Sequence, residues 1–234
     1  MQNPQRTTVR GPTFIRLLAR LADVDAPQSN PSLPDRLSQW LDWAHAIALS
    51  TALDGKPATM ASAAPAFDSA AEDECARVRS SLVHAIAGDR DLALAGLGKG
   101  ESASADYKVF RQRYLTRQRA MQAATGNLRG RLRDMLAQVS AEKARLAEVD
   151  AVMELALSPR EHKLLATVPS LLGEHFERLR QAEQPGVDAT APGAWLDVFC
   201  KDMQSLLLAE LDVRFQPVEG LLAALRTSQL GSHV

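Results

Sequence analysis

The chain has 234 residues, a length that suffices for one large domain or two small ones. Its 27 basic and 28 acidic side chains give a net charge of -1, which argues against a protein that is basic over its whole surface. Residues 1–12 are polar and lack the apolar core of a signal peptide, and the apolar stretch that follows is too short and too charged to cross a bilayer. The sequence therefore predicts a cytoplasmic protein.

Apolar residues recur at helical spacing through most of the chain, and no segment alternates with period two. The sequence therefore predicts an all-α protein without a sheet. Stretches rich in small residues, proline and glycine separate its helical parts. The predicted order is a flexible tail at 1–12, N-terminal helices at 13–95, a linker at 96–105, a long-helix bundle at 106–226 and a second tail at 227–234.

One N-terminal helix carries two tryptophans. Ser32 is a good N-cap for it, and its apolar stripe includes Trp40 and ends at Gly55. Trp43 lies beside the stripe rather than in it. We therefore expect one of the two tryptophans to remain exposed as an anchor for a partner protein, a hypothesis that fails if both are fully buried.

The most informative segment is 106–157, which contains no proline and keeps an apolar seam at three- and four-residue spacing. This pattern predicts one very long amphipathic helix, coiled-coil-like and about 75 Å long. A turn through Gly126 and Gly130 is the alternative, and the sequence leaves that choice open. Helices at 159–182, kinked by Pro169, and at 194–226 are expected to fold back along the long helix in an elongated bundle.

Positive charge is concentrated in the first half of this segment. Eight basic side chains and no acidic one lie between 108 and 133. Such a row of cations could bind a polyanion such as nucleic acid. Because the whole chain is not basic, a solvated face or ion pairing with acidic neighbours is the favoured interpretation. Five of the basic residues share one helical face away from the seam: Lys108, Arg111, Arg119, Arg129 and Arg133.

Two seam positions are charged, Arg117 and Glu142. If two copies of the long helix crossed antiparallel near Gly130, Arg117 of one copy would meet Glu142 of the other, and the basic half would cover the acidic half. The favoured alternative is that residues 159–226 cover the seam within one chain. A homodimer through another surface stays open.

No catalytic or metal-binding pattern is recognisable. The five histidines make no paired ligand spacing, and the glycines at 96–100 lack the preceding strand that a phosphate-binding loop requires. Cys75 and Cys200 belong to no metal or redox motif and are expected to be buried as small hydrophobes. We predict a protein that is not an enzyme and uses no cofactor, with an unrecognised helical active site as a distant alternative.

Several phrases in the sequence resemble an uncharacterised proteobacterial family, which is catalogued as domain of unknown function 3348. They lie at 39–43, 110–114, 145–152, 164–169 and 210–217, so the resemblance covers most of the chain. The resemblance implies a cytosolic helical protein. It also suggests a link to membrane proteins of the proton-channel motor type and to OmpA-like peptidoglycan binders, and hence an accessory role in an envelope assembly.

The predicted function is therefore a non-enzymatic, cytosolic interaction or scaffold protein that binds a protein partner. The alternative is a nucleic-acid-binding protein that uses the basic residues of the long helix.

Overall fold

The computed structural model describes residues 12–23, 35, 39–55, 69–95, 105–182 and 194–230. This part of the chain is helical and contains no strand, which confirms the predicted all-α class. The predicted tail at 1–12 and linker at 96–105 lie almost entirely outside the described residues. The helices are α1 Thr13–Ala22, α2 Trp43–Asp54, α3 Ala70–Ala95, α4 Tyr107–Val139, α5 Ala141–Leu165, α6 Val168–Ala182 and α7 Ala194–Leu230.

The segment 106–157 is not one helix, because the chain turns at Ser140 between α4 and α5. The Ser140 hydroxyl oxygen accepts a hydrogen bond from the backbone N–H of Lys143 at 3.2 Å, as an N-cap does. Arg129 of α4 forms an ion pair at 2.7 Å with Asp150 of α5, although 21 residues of uninterrupted helix would separate them by about 31 Å. The second half of α4 and α5 therefore form an antiparallel helical hairpin. The prediction of one continuous helix is wrong at this point.

Very long helical stretches occur elsewhere. Helix α7 has 37 residues, and α5 and α6 are separated only at 166–167, so that 141–182 is an almost unbroken helical stretch of 42 residues. Gly126 and Gly130 lie inside α4, so the turn considered there does not occur.

The prolines behave differently from the sequence prediction. Helix α5 runs through Pro159 instead of starting there. Pro169 does not kink a helix but lies in the first turn of α6, where its missing N–H leaves no hydrogen bond unmade. The Thr167 carbonyl accepts the N–H groups of Ser170 and Leu171 at 3.0 and 3.3 Å and so starts α6.

Contacts divide the chain into two compact units, each assembled from separate segments. The first contains 1–28, 81–121 and 166–213. Its interior is an aromatic cluster in which the Phe176 and Phe199 rings lie edge to face, with centroids 5.0 Å apart, and Phe110 contacts both at 5.7 and 5.3 Å. Helix α1 packs on α6 and buries Phe14 and Leu21.

The start of α4 is held in this unit by contacts of the Tyr107 side chain with the backbone of α6. The Tyr107 hydroxyl donates a hydrogen bond to the Pro169 carbonyl. A Cβ at Gly173 would lie 2.9 Å from the Tyr107 ring, so glycine is required for this contact. Burial raises the pKa of Tyr107 to about 12, against a smaller opposing effect of the Arg111 charge.

The second unit contains 29–80, 122–165 and 214–234. Helix α2 packs on α5, and ion pairs at the surface join α3 to its neighbours: Glu72 to Arg226, Glu74 to Arg131, and Arg79 to Glu219. The buried apolar residues of α4 and α7 in this unit are Leu128, Leu132, Leu136, Phe215, Val218, Leu221, Leu222 and Leu225.

The apolar seam of α4 is covered within the chain. Phe110, Tyr114, Met121, Leu128 and Leu132 are all buried, and in the first unit the seam meets the aromatic residues of α6 and α7.

Both cysteines are buried free thiols, as expected.

Candidate interaction surfaces

Helix α2 has an exposed apolar face. Among its residues only His45 and Asp54 can carry charge, and the side turned towards α5 contains buried Ala52. On the opposite side Trp43 is 81% exposed and Ile47, one turn later, is 50% exposed. A helix that is apolar on all sides is normally covered on all sides. The expectation that one tryptophan remains exposed within the chain is confirmed, and that residue is Trp43.

The position of Trp43 depends on a helix start that the sequence prediction missed. The stripe predicted to run through Trp40 into α2 is interrupted at residues 41–42, and α2 begins anew with Asp42 as its N-cap. The Asp42 carboxylate accepts the backbone N–H of His45 at 2.8 Å, and this hydrogen bond holds the pKa of Asp42 below its ordinary value. The sequence did contain a signal for this helix start, because Asp42 is an aspartate and aspartate is among the preferred N-cap residues.

Trp40 is held against the protein and differs in this from Trp43. It is half-buried, and the Arg160 guanidinium lies over its ring, 5.9 Å from the centroid. The same guanidinium donates a hydrogen bond to the Gln39 carbonyl at 2.9 Å. Trp40 therefore has a structural role.

The five residues of the predicted basic stripe have two different environments. Lys108, Arg111 and Arg119 lie exposed on the part of α4 in the first unit. Arg129 and Arg133, in the second unit, face α5 and form an ion cluster with Asp150 and Glu154. For these two cations the favoured interpretation, ion pairing with acidic neighbours, is the one observed.

The ion cluster closes the helical hairpin. Asp150 accepts hydrogen bonds from Arg129 at 2.7 and 3.3 Å and from Arg133 at 3.1 Å, and Arg133 also donates to Glu154. Burial alone would lower the pKa of Arg133, but the hydrogen bonds and charges of Glu154 and Asp150 outweigh it and raise that pKa. The charged form of Arg133 is thus favoured.

Arg117 and Glu142 do not form the geometry proposed for an antiparallel dimer. That pairing required a continuous helix crossing its copy near Gly130, and the chain instead reverses at Ser140. Glu142 lies exposed in the first turn of α5, where a negative charge suits the helix dipole. Arg117 is half-buried on α4. Two cations of the basic half, Arg129 and Arg133, are instead paired with Asp150 and Glu154 within one chain.

A shallow groove of about 510 Å³ runs along α4 in the first unit. Val109, which is 52% exposed, lies in it, together with two neutral polar residues and three cations. The described residues lining the groove are Lys108, Val109, Gln112, Arg113, Thr116 and Arg117.

Two polar contacts in the first unit, one buried and one partly buried, were not anticipated from the sequence. Glu210 is 1% exposed and accepts a hydrogen bond from the Tyr114 hydroxyl at 2.6 Å and a weaker one from the Gln118 amide at 3.2 Å. His175 lies 2.9 Å from Asp202, whose other oxygen accepts from Arg20 at 2.8 Å. Both carboxylates are occupied by donors from other helices, which suits contacts that fix helix positions. In the part of the chain that the structure describes, no three potential metal ligands are grouped.

The fold and these surfaces define an all-helical protein. A family model described as "Protein of unknown function (DUF3348)" matches residues 1–227. The chain therefore belongs to this family, as the sequence phrases indicated. No curated protein and no solved structure matches it. Among the described residues, no helix combines the length and the apolar character needed to cross a membrane.

Proposed function

We propose that this protein is a non-enzymatic interaction or scaffold protein that binds a protein partner through the exposed face of α2. The observation that carries this proposal is the exposure of Trp43, at 81%, on a helix whose other side is already packed. Covering a tryptophan of this kind removes on the order of 150–200 Å² of apolar surface from water, a gross gain of about 4 kcal/mol. That gain is in the range of residues that dominate protein interfaces.

The shape of the surface favours a protein over a small molecule. Trp43 and Ile47 stand one turn apart on a convex helix face. A partner helix can lay an apolar stripe along such a face, whereas a small ligand is normally enclosed by a concave site. Family resemblance and the sequence pattern support placing this partner in the cytoplasm, in an assembly associated with the cell envelope.

The test compares the wild type with a double variant, Trp43→Ser with Ile47→Ser, and a matched control, Val198→Ser, which removes an exposed apolar residue from the other unit. Each full-length protein is used to capture partners from soluble and detergent-solubilised membrane fractions of native cells, with nucleic acid digested in a parallel sample. We expect a protein that the wild type and the control recover and the double variant does not.

The captured protein is then purified, and its direct binding to the wild type and to the variants tests the proposal. Burial of Trp43 should shift tryptophan emission to shorter wavelength, and Trp43→Ser should weaken binding by at least about thirtyfold. The proposal is wrong if the double variant retains every partner, or if the purified partner binds it as tightly as the wild type.

A further inference from the structure

We propose that the exposed face of α5 is a dimer interface and that its occupant is α5 of a second copy of this chain, packed antiparallel. We define the α5 face by Glu148, Ala151, Leu155, Pro159 and His162, all of which are exposed. The face belongs to the second unit. It is separate from the α2 face, so the proposal does not depend on the partner proposed for α2.

The residues of the α5 face share one side of the helix. At 3.6 residues per turn, Glu148, Leu155 and His162, which are spaced seven apart, fall within about 40° of one another. Ala151 and Pro159 lie about 40° from Leu155, one on each side. A seven-residue spacing of this kind is the one by which two helices keep contact over several turns.

The contacts of α5 with neighbouring helices use its other sides. Asp150 and Glu154 pair with cations of α4, and Arg145 donates a hydrogen bond at 3.1 Å to the Gly55 carbonyl at the end of α2. These three residues lie at least about 80° away from Leu155 around the helix. Leu155 is therefore 69% exposed, and among the described residues no other large aliphatic side chain is as exposed.

The centre of the α5 face suits close packing against its own copy. Ala151, Leu155 and Pro159 carry no charge, so no like charges meet there. In an antiparallel pair with two-fold symmetry about Leu155, the two Leu155 side chains meet, and Ala151 of one copy comes level with Pro159 of the other. Because Ala151 is small, it leaves room for the proline ring, and the two helices can approach closely.

Charges at the two ends of the face select the orientation. Glu148 lies seven residues before Leu155, whereas His162 and Lys163 lie seven and eight residues after it. An antiparallel copy centred on Leu155 therefore brings the Glu148 carboxylate level with the basic end of the other copy, at two symmetry-related places. In a parallel pair, each Glu148 would face its own copy, which is unfavourable. The order of charges is thus complementary to itself, and this argues for a second copy as the occupant.

These end charges are available for such a contact. In the part of the chain that the structure describes, no ion pair or side-chain hydrogen bond involves Glu148, His162 or Lys163, and all three are exposed. His162 and Lys163 lie in the last turn of α5, where the helix dipole favours basic residues. Glu148 lies beyond the first turn and gains little from the dipole, so an intermolecular contact is the interaction that its position favours.

The size of the face predicts a weak dimer. From Glu148 to Lys163 the face extends over about 24 Å, and pairing it would bury on the order of 800–1,000 Å² in total. This area lies below that of standard interfaces, so we expect a Kd on the order of 10–100 µM. Trp43 lies on the side of α2 opposite to α5 and stays open in this dimer. The dimer would then present two α2 faces, which raises the affinity for a partner that is itself multivalent.

The test measures the mass of the full-length protein by sedimentation velocity from about 5 to 300 µM in 50 mM NaCl. We expect a monomer–dimer equilibrium in the wild type. Leu155→Glu should weaken the dimer at least about tenfold, because two carboxylates then meet at the two-fold axis. The matched control is Leu164→Glu, which adds the same charge at a 65% exposed leucine on the other side of the same helix. It should change the Kd of the dimer less than about twofold.

A charge swap tests the antiparallel orientation. Glu148→Lys and Lys163→Glu should each weaken the dimer by about threefold or more, and the variant with both changes should regain most of the loss. Trp43→Ser with Ile47→Ser should leave the dimer unchanged. Circular dichroism of each variant verifies that its helix content is that of the wild type.

Three results would overturn the proposal. The first is a wild type that stays monomeric at about 300 µM. The second is a control, Leu164→Glu, that weakens the dimer as much as Leu155→Glu does, or a charge swap that restores nothing. The third is loss of the dimer through Trp43→Ser with Ile47→Ser, which would place the interface on α2 instead. Capture of a partner by the α2 face is measured separately, so the two proposals can fail independently.

Discussion

The ion cluster between α4 and α5 provides a direct test of the helical hairpin. Asp150 accepts three hydrogen bonds from Arg129 and Arg133 among side chains that are mostly buried. Asp150→Ala leaves two guanidinium groups facing each other with Glu154 as their remaining carboxylate. A fully buried unpaired charge costs about 3–5 kcal/mol. Since these side chains keep some contact with water, we expect a loss of about 2–3 kcal/mol in the free energy of unfolding.

A double-mutant cycle isolates the contact. Arg129→Met alone should cost about 1–2 kcal/mol, and the double variant should cost clearly less than the sum of the two single changes, with a coupling energy of about 1–2 kcal/mol. Urea unfolding followed by circular dichroism at 222 nm supplies the four free energies. Arg131→Met is the matched control because Arg131 pairs with Glu74 instead, and its effect should add to that of Asp150→Ala within about 0.5 kcal/mol. Zero coupling between positions 129 and 150 would refute the hairpin, because a continuous helix would hold them far apart.

Three further predictions concern buried groups. Burial raises the Tyr107 pKa to about 12, so Tyr107 stays protonated in the folded state where it ionises near 10.0 in the unfolded state, and the free energy of unfolding should fall as pH rises from about 10 to 12. In Tyr114→Phe, which leaves Tyr107 as the single tyrosine, absorbance at 295 nm should titrate near 12 when the protein is folded and near 10 in urea. Equal midpoints in the two titrations would contradict this prediction. Gly173→Ala should cost about 1 kcal/mol net, because the new Cβ meets the Tyr107 ring at 2.9 Å, whereas Gly126→Ala, with nothing within 4 Å, should stabilise by about 0.5–1 kcal/mol in urea unfolding. Burial also raises the pKa of the Cys75 thiol, so mass spectrometry should show slower iodoacetamide alkylation at pH 8 in the folded protein than in urea, and equal rates would contradict its burial.

The all-helical class and the burial of several side chains could be predicted from the sequence because they depend on local patterns. Three- and four-residue apolar spacing identified α4 and its buried seam, and the position of both cysteines on the apolar side of predicted helices led to the expectation of two buried thiols. The turn at Ser140 could not be obtained in the same way. Both arms of a helical hairpin need an apolar face towards the interior, so the seam stays in phase through the turn as it would in a single helix.

The sequence did contain a weaker indication of the turn. Basic Arg129 and Arg133 precede acidic Asp150 and Glu154, and both sets lie at similar distances from residue 140. The antiparallel-dimer hypothesis instead centres the charge match on Gly130, with Arg117 of one copy opposite Glu142 of the other. In a hairpin, the basic side chains pair with the acidic ones without a second copy of the chain. The turn of this hairpin lies at Ser140, and a serine followed by Glu142 is a good helix start.

The candidate surfaces show a similar limit, because exposure depends on which neighbours cover a residue. Trp40 and Trp43 are three residues apart, yet one lies beneath Arg160 and the other is open. A local pattern could identify both as candidates. The restart of the helix at Asp42 and the cover of Trp40 by Arg160 together decide which of them is exposed.

The two halves of α4 carry similar cations and use them differently, and this difference bears on what the protein does. In the second half, Arg129 and Arg133 are neutralised by α5, so their charge stabilises the fold. In the first half, Lys108 and Arg119 remain exposed around a neutral strip although the helix dipole gives them no support. The exposed face of α2 has a different character, since it begins with the apolar side chains Trp43 and Ile47. If the proposed partner binds the α2 face, hydrophobic contact therefore dominates there, and the exposed cations of α4 offer a surface of different chemistry.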